Sequence, residues 1–145
     1  MSMNLSATGG KLGSSPQMQA SGYQAGACNI GPAEIARRRR TGHIGLAITV
    51  LLLGVLLALD APGWLRLIVF LPAAVGAAGY LQAHFRFCAD YGWRGVFNVG
   101  DQAGHDRTTD VVDTAARRAD RRRAMLISAG SGVIGLAVTL LALVL

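Results

Sequence analysis

The sequence predicts an all-α membrane protein with three transmembrane helices: a two-helix hairpin, then a third C-terminal helix, all behind a disordered N-terminal tail. Three observations lead there. Of 145 residues, 52% are hydrophobic and only 15% charged, which is too apolar for a typical soluble domain of this length. The charge is segregated, with arginines crowded at Arg37–Arg40 and between Arg117 and Arg123. Between those blocks lie apolar runs long enough to cross a hydrocarbon core of roughly 30 Å. A charge at the centre of that core costs about 2.5–3.5 kcal/mol, so a bilayer selects for such segregation.

Residues 1–27 are rich in Gly, Ser, Gln, Ala and Met, with no hydrophobic period. They read as a disordered tail. No apolar core appears before residue 44, which argues against a signal peptide, and Thr41-Gly42-His43 after the arginines argues against a twin-arginine signal. Order is expected from Cys28-Asn29-Ile30-Gly31. Pro32 suits a first helical position, where its missing N–H leaves nothing unpaired, and Asn29 or Gly31 can cap. Glu34 then falls in the first turn, where a carboxylate favours the helix dipole.

The first span runs from Thr41 to Leu59 without a charge, and Asp60-Ala61-Pro62-Gly63 breaks it with turn residues. The second runs from Trp64 to about Ala83, with Trp64 interfacial and Arg66 able to snorkel outward. Tyr80 and His84 mark the opposite interface. Phe85–Gly100 interleaves aromatics with Arg86 and Arg94, a pattern that suits an interfacial belt. From Asp110 an amphipathic helix is expected, capped near Thr109 or Asp110, with Asp113 and Arg117 as a helical ion pair. It leads into a third span, Ala124–Leu145. The chain thus divides into a tail (1–27), a transmembrane hairpin with its aromatic and arginine-bearing segment (28–98), and an amphipathic helix running into the third span (99–145).

Arginine also sets an orientation. The tetra-arginine block precedes the first span, and the segment from Phe85 to Arg123 carries eight arginines. By the positive-inside rule both face the cytoplasm, with the hairpin turn and Leu145 outside. The arginines are then expected at anionic head groups, and the net charge of +6 calls for no nucleic-acid partner. Gly76 and Gly79 in the second span and Gly130, Gly132 and Gly135 in the third permit close helix packing, within the chain, in a homo-oligomer or with a membrane partner.

Few residues offer chemistry. Two cysteines and three histidines lack metal-ligand spacing, so neither a metal nor a cofactor is expected. No phosphate-binding loop, catalytic triad or dinucleotide fingerprint is present. Cys88 is the one notable position. It stands just past the second span between Arg86 and Arg94, which favour a thiolate, and on the same expected face as Cys28. The arginine six residues after Cys88 matches a cysteine-phosphatase spacing, but no strand precedes the loop.

Asn29-Ile30-Gly31-Pro32-Ala33-Glu34-Ile35-Ala36-Arg37-Arg38 and Gly42 resemble the opening of the YgaP-like inner-membrane domain family. The likeness places Asn29, Gly31, Glu34, Arg38 and Gly42 on the family's motif. It continues through Gly63-Trp64 and Pro72 to Cys88, over about residues 28–98. The resemblance implies a two-helix hairpin in the bacterial inner membrane, in some members fused to a rhodanese domain that handles sulfane sulfur. That would make Cys88 a candidate sulfur contact. Ala89 stands where the family carries proline, and this chain adds a third span in place of a rhodanese domain. The function expected is a non-enzymatic helix-packing or interaction module of the inner membrane. The alternative is a thiol-dependent accessory in handling or exporting sulfur species.

Overall fold

The computed structural model of the chain describes residues 22–145. Three helices are long and apolar enough to cross a membrane: α1 (Pro32–Ala58), α2 (Gly63–His84) and α4 (Thr114–Val144). Between α2 and α4 lie a short helix, α3 (Ala89–Arg94), and an antiparallel pair of two-residue strands, β1 (Val96–Phe97) and β2 (Thr109–Asp110). The predicted three-span, all-α architecture is the one found. The tail expected over 1–27 lies outside the described residues up to 21, but its last part is ordered. Gly22–Ala27 form a turn, and Tyr23 is fully buried, stacked on Phe97 with ring centroids 4.6 Å apart.

Helix ends follow local chemistry. Gly31 caps α1 in an extended conformation and Pro32 takes its first position. At the other end the Ala61 N–H donates to the Leu56 carbonyl (2.9 Å) and the Asp60 N–H to that of Leu57 (3.1 Å). This is a Schellman closure with Asp60 left-handed at φ 53°. The same closure ends α2. There Phe87 N–H donates to Gln82 (3.0 Å) and Arg86 N–H to Ala83 (3.4 Å), with Arg86 at φ 53°. Near its start α2 tightens into a 3₁₀ turn at Leu67–Val69. Pro72, one turn on, cannot donate to the Ile68 carbonyl, so the α-helical ladder is interrupted there.

Two expectations for the approach to α4 are corrected. Asp113, not Thr109 or Asp110, caps the helix, its carboxylate accepting from Ala115 and Ala116 N–H at 3.4 and 3.0 Å. Thr109 and Asp110 are held extended in β2, and the following Val111, fully buried, donates its N–H to the Gly95 carbonyl at 2.8 Å. With its carboxylate turned to the helix end, Asp113 forms no ion pair with Arg117, whose Nε donates to the Val111 carbonyl. The aromatics after α2 are likewise not a belt. Phe87, Tyr91 and Phe97 are buried in a small cap over one end of the helices, and only Trp93 stays exposed.

α2 packs along both α1 and α4. Glycine makes the first contact possible: a Cβ on Gly45 would lie 2.5 Å from the Gly76 Cα, and one on Gly79 would run into Gly42 N and the Arg38 carbonyl. On the other side a Gly135 Cβ would meet Ala74 Cβ at 2.8 Å. Gly76, Gly79 and Gly135 therefore pack as expected. Gly130 makes only ordinary contact with Leu81, and Gly132 meets nothing within 4 Å, because it faces an open groove between α2 and α4. Arg66 reaches back toward the hairpin end of the spans. It donates to the carbonyls of Ala61 and Ala142, each at 3.2 Å, tying the start of α2 to the last turn of α4.

Replacing Gly79 with Ala is expected to destabilise the protein by about 1–3 kcal/mol through overpacking. Gly132→Ala is expected to be neutral or to stabilise by up to about 1 kcal/mol, since alanine is the better helix former. Thermal unfolding in detergent micelles checks both, and the reverse ranking would contradict the packing described.

Candidate functional site

The motif residues converge on the cap. Asn29 is fully buried and clasps the backbone of Cys88 in both directions, Nδ2 donating to the Cys88 carbonyl at 3.0 Å and Oδ1 accepting from its N–H at 2.7 Å. Its own backbone bonds Arg86 and Asn98. Gly31 follows because loop backbone runs directly against it: a Cβ there would lie 2.6 Å from Val99 and Gly100. The Gly31 N–H also donates to the Asn98 carbonyl at 2.8 Å.

Glu34, one turn into α1, is fully buried. Its Oε1 accepts from the Tyr91 hydroxyl and from the Gly104 N–H, both at 2.9 Å. Arg37 and Arg38 stand 3.8 Å from its two oxygens, and Oε2 has no hydrogen-bond partner among the described residues. Glu34 stands in the first turn of α1, and its carboxylate also ties α1 to α3 and to the loop after β1. Burial, then the bond to Glu34, pushes the Tyr91 phenol up to about 12. Arg38 reaches across to Cys88, Nη2 donating to Sγ at 2.9 Å. Gly42 lies under the Tyr80 ring, where a Cβ would sit 3.0 Å away.

Cys88 is fully buried. Burial pushes its thiol above the ordinary value, and the opposing pull of Arg38 does not overcome it. The expectation of a thiolate favoured by Arg86 and Arg94 is thus corrected. The cation in contact is Arg38, desolvation outweighs it, and Arg94 instead pairs with Asp90 at 3.3 Å. Cys28 is half-buried, its Sγ 3.6 Å from the Ile30 carbonyl. Both thiols are free, with separate partners. No cluster of His, Cys, Asp and Glu suited to a metal ion occurs among the described residues.

Comparison with family models, curated proteins and solved structures finds no match. The site has a geometry of its own. That geometry joins Asn29, Gly31, Glu34, Arg38 and Cys88 into one framework, which fastens the start of α1 to the end of α2. Gly76, Gly79 and Gly42 extend the same contact into the spans.

A second latch carried no motif. Asp120, fully buried, accepts from the Tyr23 hydroxyl and the Gly26 N–H, both at 2.7 Å. This bond pins the ordered part of the tail to α4. A sequence signal exists for it: Ala116, Asp120, Ala124 and Ile127 fall at helical spacing on one buried stripe. An acid on that stripe, amid arginines, calls for a buried partner. Asn98 and Gly45 had no comparable signal, since a lone Asn in a loop and one more Gly in a span are common.

Asn29→Ala leaves the N–H and carbonyl of Cys88 unpaired inside the cap, and a loss of about 1–3 kcal/mol is expected. Thermal unfolding of the purified protein measures it, and an unchanged melting temperature would contradict the clasp. Cys88 and Tyr91 also bind their protons more tightly folded than unfolded. Their contribution is whole below the unfolded values of 9.0 and 10.0 and is lost as pH climbs through the folded ones. Stability is therefore expected to fall from about pH 9 upward, and maleimide should label Cys28 at least tenfold faster than Cys88 in the folded protein at neutral pH, as thiolate access requires. Faster labelling of Cys88 would reverse this assignment.

Proposed function

We propose that the chain is a small bacterial inner-membrane protein with a non-enzymatic role, a helix-packing module that associates with itself or with another membrane protein. The observation that carries this reading is the surface of the spans. Only 22%, 22% and 28% of the three apolar windows are buried within the chain. In water that surface would aggregate, while in a bilayer it meets lipid or other helices. The groove between α2 and α4, lined by small residues such as Ala74, Ala78, Ser131 and Gly132, supplies a place for a further helix to approach.

Orientation belongs to the same proposal. The cap carries both arginine blocks, so it faces the cytoplasm and anionic head groups, and the Asp60–Gly63 turn faces outside. The YgaP-like resemblance supports the reading in one respect: its five motif positions all serve the joint between α1, α2 and the cap. The thiol-dependent alternative rests on Cys28 and Cys88, and the labelling rates above decide whether it survives.

Cross-linking and fluorescence dilution in vesicles test the module. Association above background is expected, and Gly132→Leu, which fills the groove without touching α1, should reduce it severalfold while the monomer keeps its melting temperature. A strictly monomeric protein that captures no partner on cross-linking would overturn the proposal.

A further inference from the structure

Beside the cap, where α1 begins and α2 ends, lies a groove of about 650 Å³. Its apolar lining includes Ile30, Ile35 and Ala83, and its polar groups are Arg39, His84 and Arg86. We propose that this groove is the seat of one anionic phospholipid, whose head-group phosphate is held by Arg39 and Arg86 and whose acyl chains run down into the bilayer beside the uncharged residues that begin at Thr41. The inference rests on the membrane reading above and goes beyond it by naming a site, a ligand class and the residues that hold it.

Charge complementarity carries the argument. Among the described residues neither Arg39 nor Arg86 has an ion-pair partner, and no acidic side chain lines the groove. Residues 1–21 contain no Asp or Glu, so no side chain there can neutralise the pair. Two guanidiniums beside His84 suit a phosphodiester, because guanidinium matches phosphate in charge and geometry. The level is right as well. The groove is lined by the start of α1, the end of α2 and, from the cap, Gly22, Cys28 and Val99, and it lies just outside the uncharged run that begins at Thr41, which is where head groups lie.

The backbone at Arg86 is an independent observation. It occupies the left-handed position of the Schellman closure at φ 53°, where glycine is the usual residue and a longer side chain is strained. Its side chain is exposed and enters no ion pair among the described residues. Glycine at this position therefore removes the charge without disturbing the turn.

The test uses the full chain in phosphatidylcholine nanodiscs with and without phosphatidylglycerol, with lipid retention read by native mass spectrometry. One retained phosphatidylglycerol per chain is expected, preferred over phosphatidylcholine by roughly thirtyfold, since each of the two arginines near the surface contributes about 1 kcal/mol. Arg86→Gly and Arg39→Gln should each weaken that preference roughly fivefold. Arg86→Gly should also melt at or above the wild-type temperature, because glycine relieves the strained turn, so its loss of lipid is not a loss of fold. No preference in the wild type, or a preference that survives in the double variant, would overturn the proposal. Displacement by inorganic phosphate would overturn it too, in favour of a free-phosphate site. Failure to enter phosphatidylcholine discs at all would bring down the membrane reading together with the site.

Discussion

Two glycine pairs, Gly42 with Gly79 and Gly45 with Gly76, bring the backbones of α1 and α2 into contact, with the Arg38 carbonyl set against Gly79. Everything at the capped end depends on that separation. With α1 and α2 so close, Asn29 at the start of one helix can clasp Cys88 just past the end of the other, and Arg38 can reach its sulfur. A methyl group in either pair would push the helices apart and open each of these bonds at once. In a bilayer this contact cannot be supplied by hydrophobic burial, because lipid is as apolar as the helices. It comes from close packing, which small residues alone permit.

The cap solves a different problem. Its segments are short, two strands of two residues and a helix of six, too short to be stable alone. They are held by polar groups buried against the helix ends. Glu34 gathers Tyr91 and Gly104, and Asp120 gathers Tyr23 and Gly26. Each acid stands within or beside an arginine block, and Glu34 is flanked by Arg37 and Arg38. A buried carboxylate is costly without bonded partners, and removing a partner costs more than the bond itself contributed. Such networks add geometric definition more than net stability. Here they define how the loops sit on the helix ends.

The same arrangement leaves the cap basic. Two acids are consumed inside and Asp113 is occupied at a helix terminus, while most of the arginines point outward. The spans meanwhile leave most of their apolar surface uncovered. A basic rim beside an apolar body is matched by the layered chemistry of a membrane surface, with phosphate above and hydrocarbon below.

The three spans, their breaks at Asp60–Gly63 and at the end of α2, and the helix start at Pro32 were legible in the sequence. Each depends on local chemistry: runs of apolar residues, a proline without its N–H, residues that end helices. The sequence also pointed to Gly76, Gly79 and Gly135 as packing positions, because small residues in a span have few other uses. It could not separate them from Gly132, which has the same composition around it and no neighbour in the fold. Only tertiary structure decided that, since facing is a property of two helices. It also decided that Cys88 is a buried thiol, because the cation that reaches it comes from fifty residues away and the burial from segments that read as loop. Tyr23 fell in a stretch without pattern, and its order follows from a bond to Asp120, 97 residues distant, and from stacking on Phe97. A long-range polar contact has no periodicity to betray it, so the sequence determined the helices and the tertiary structure determined what holds their ends.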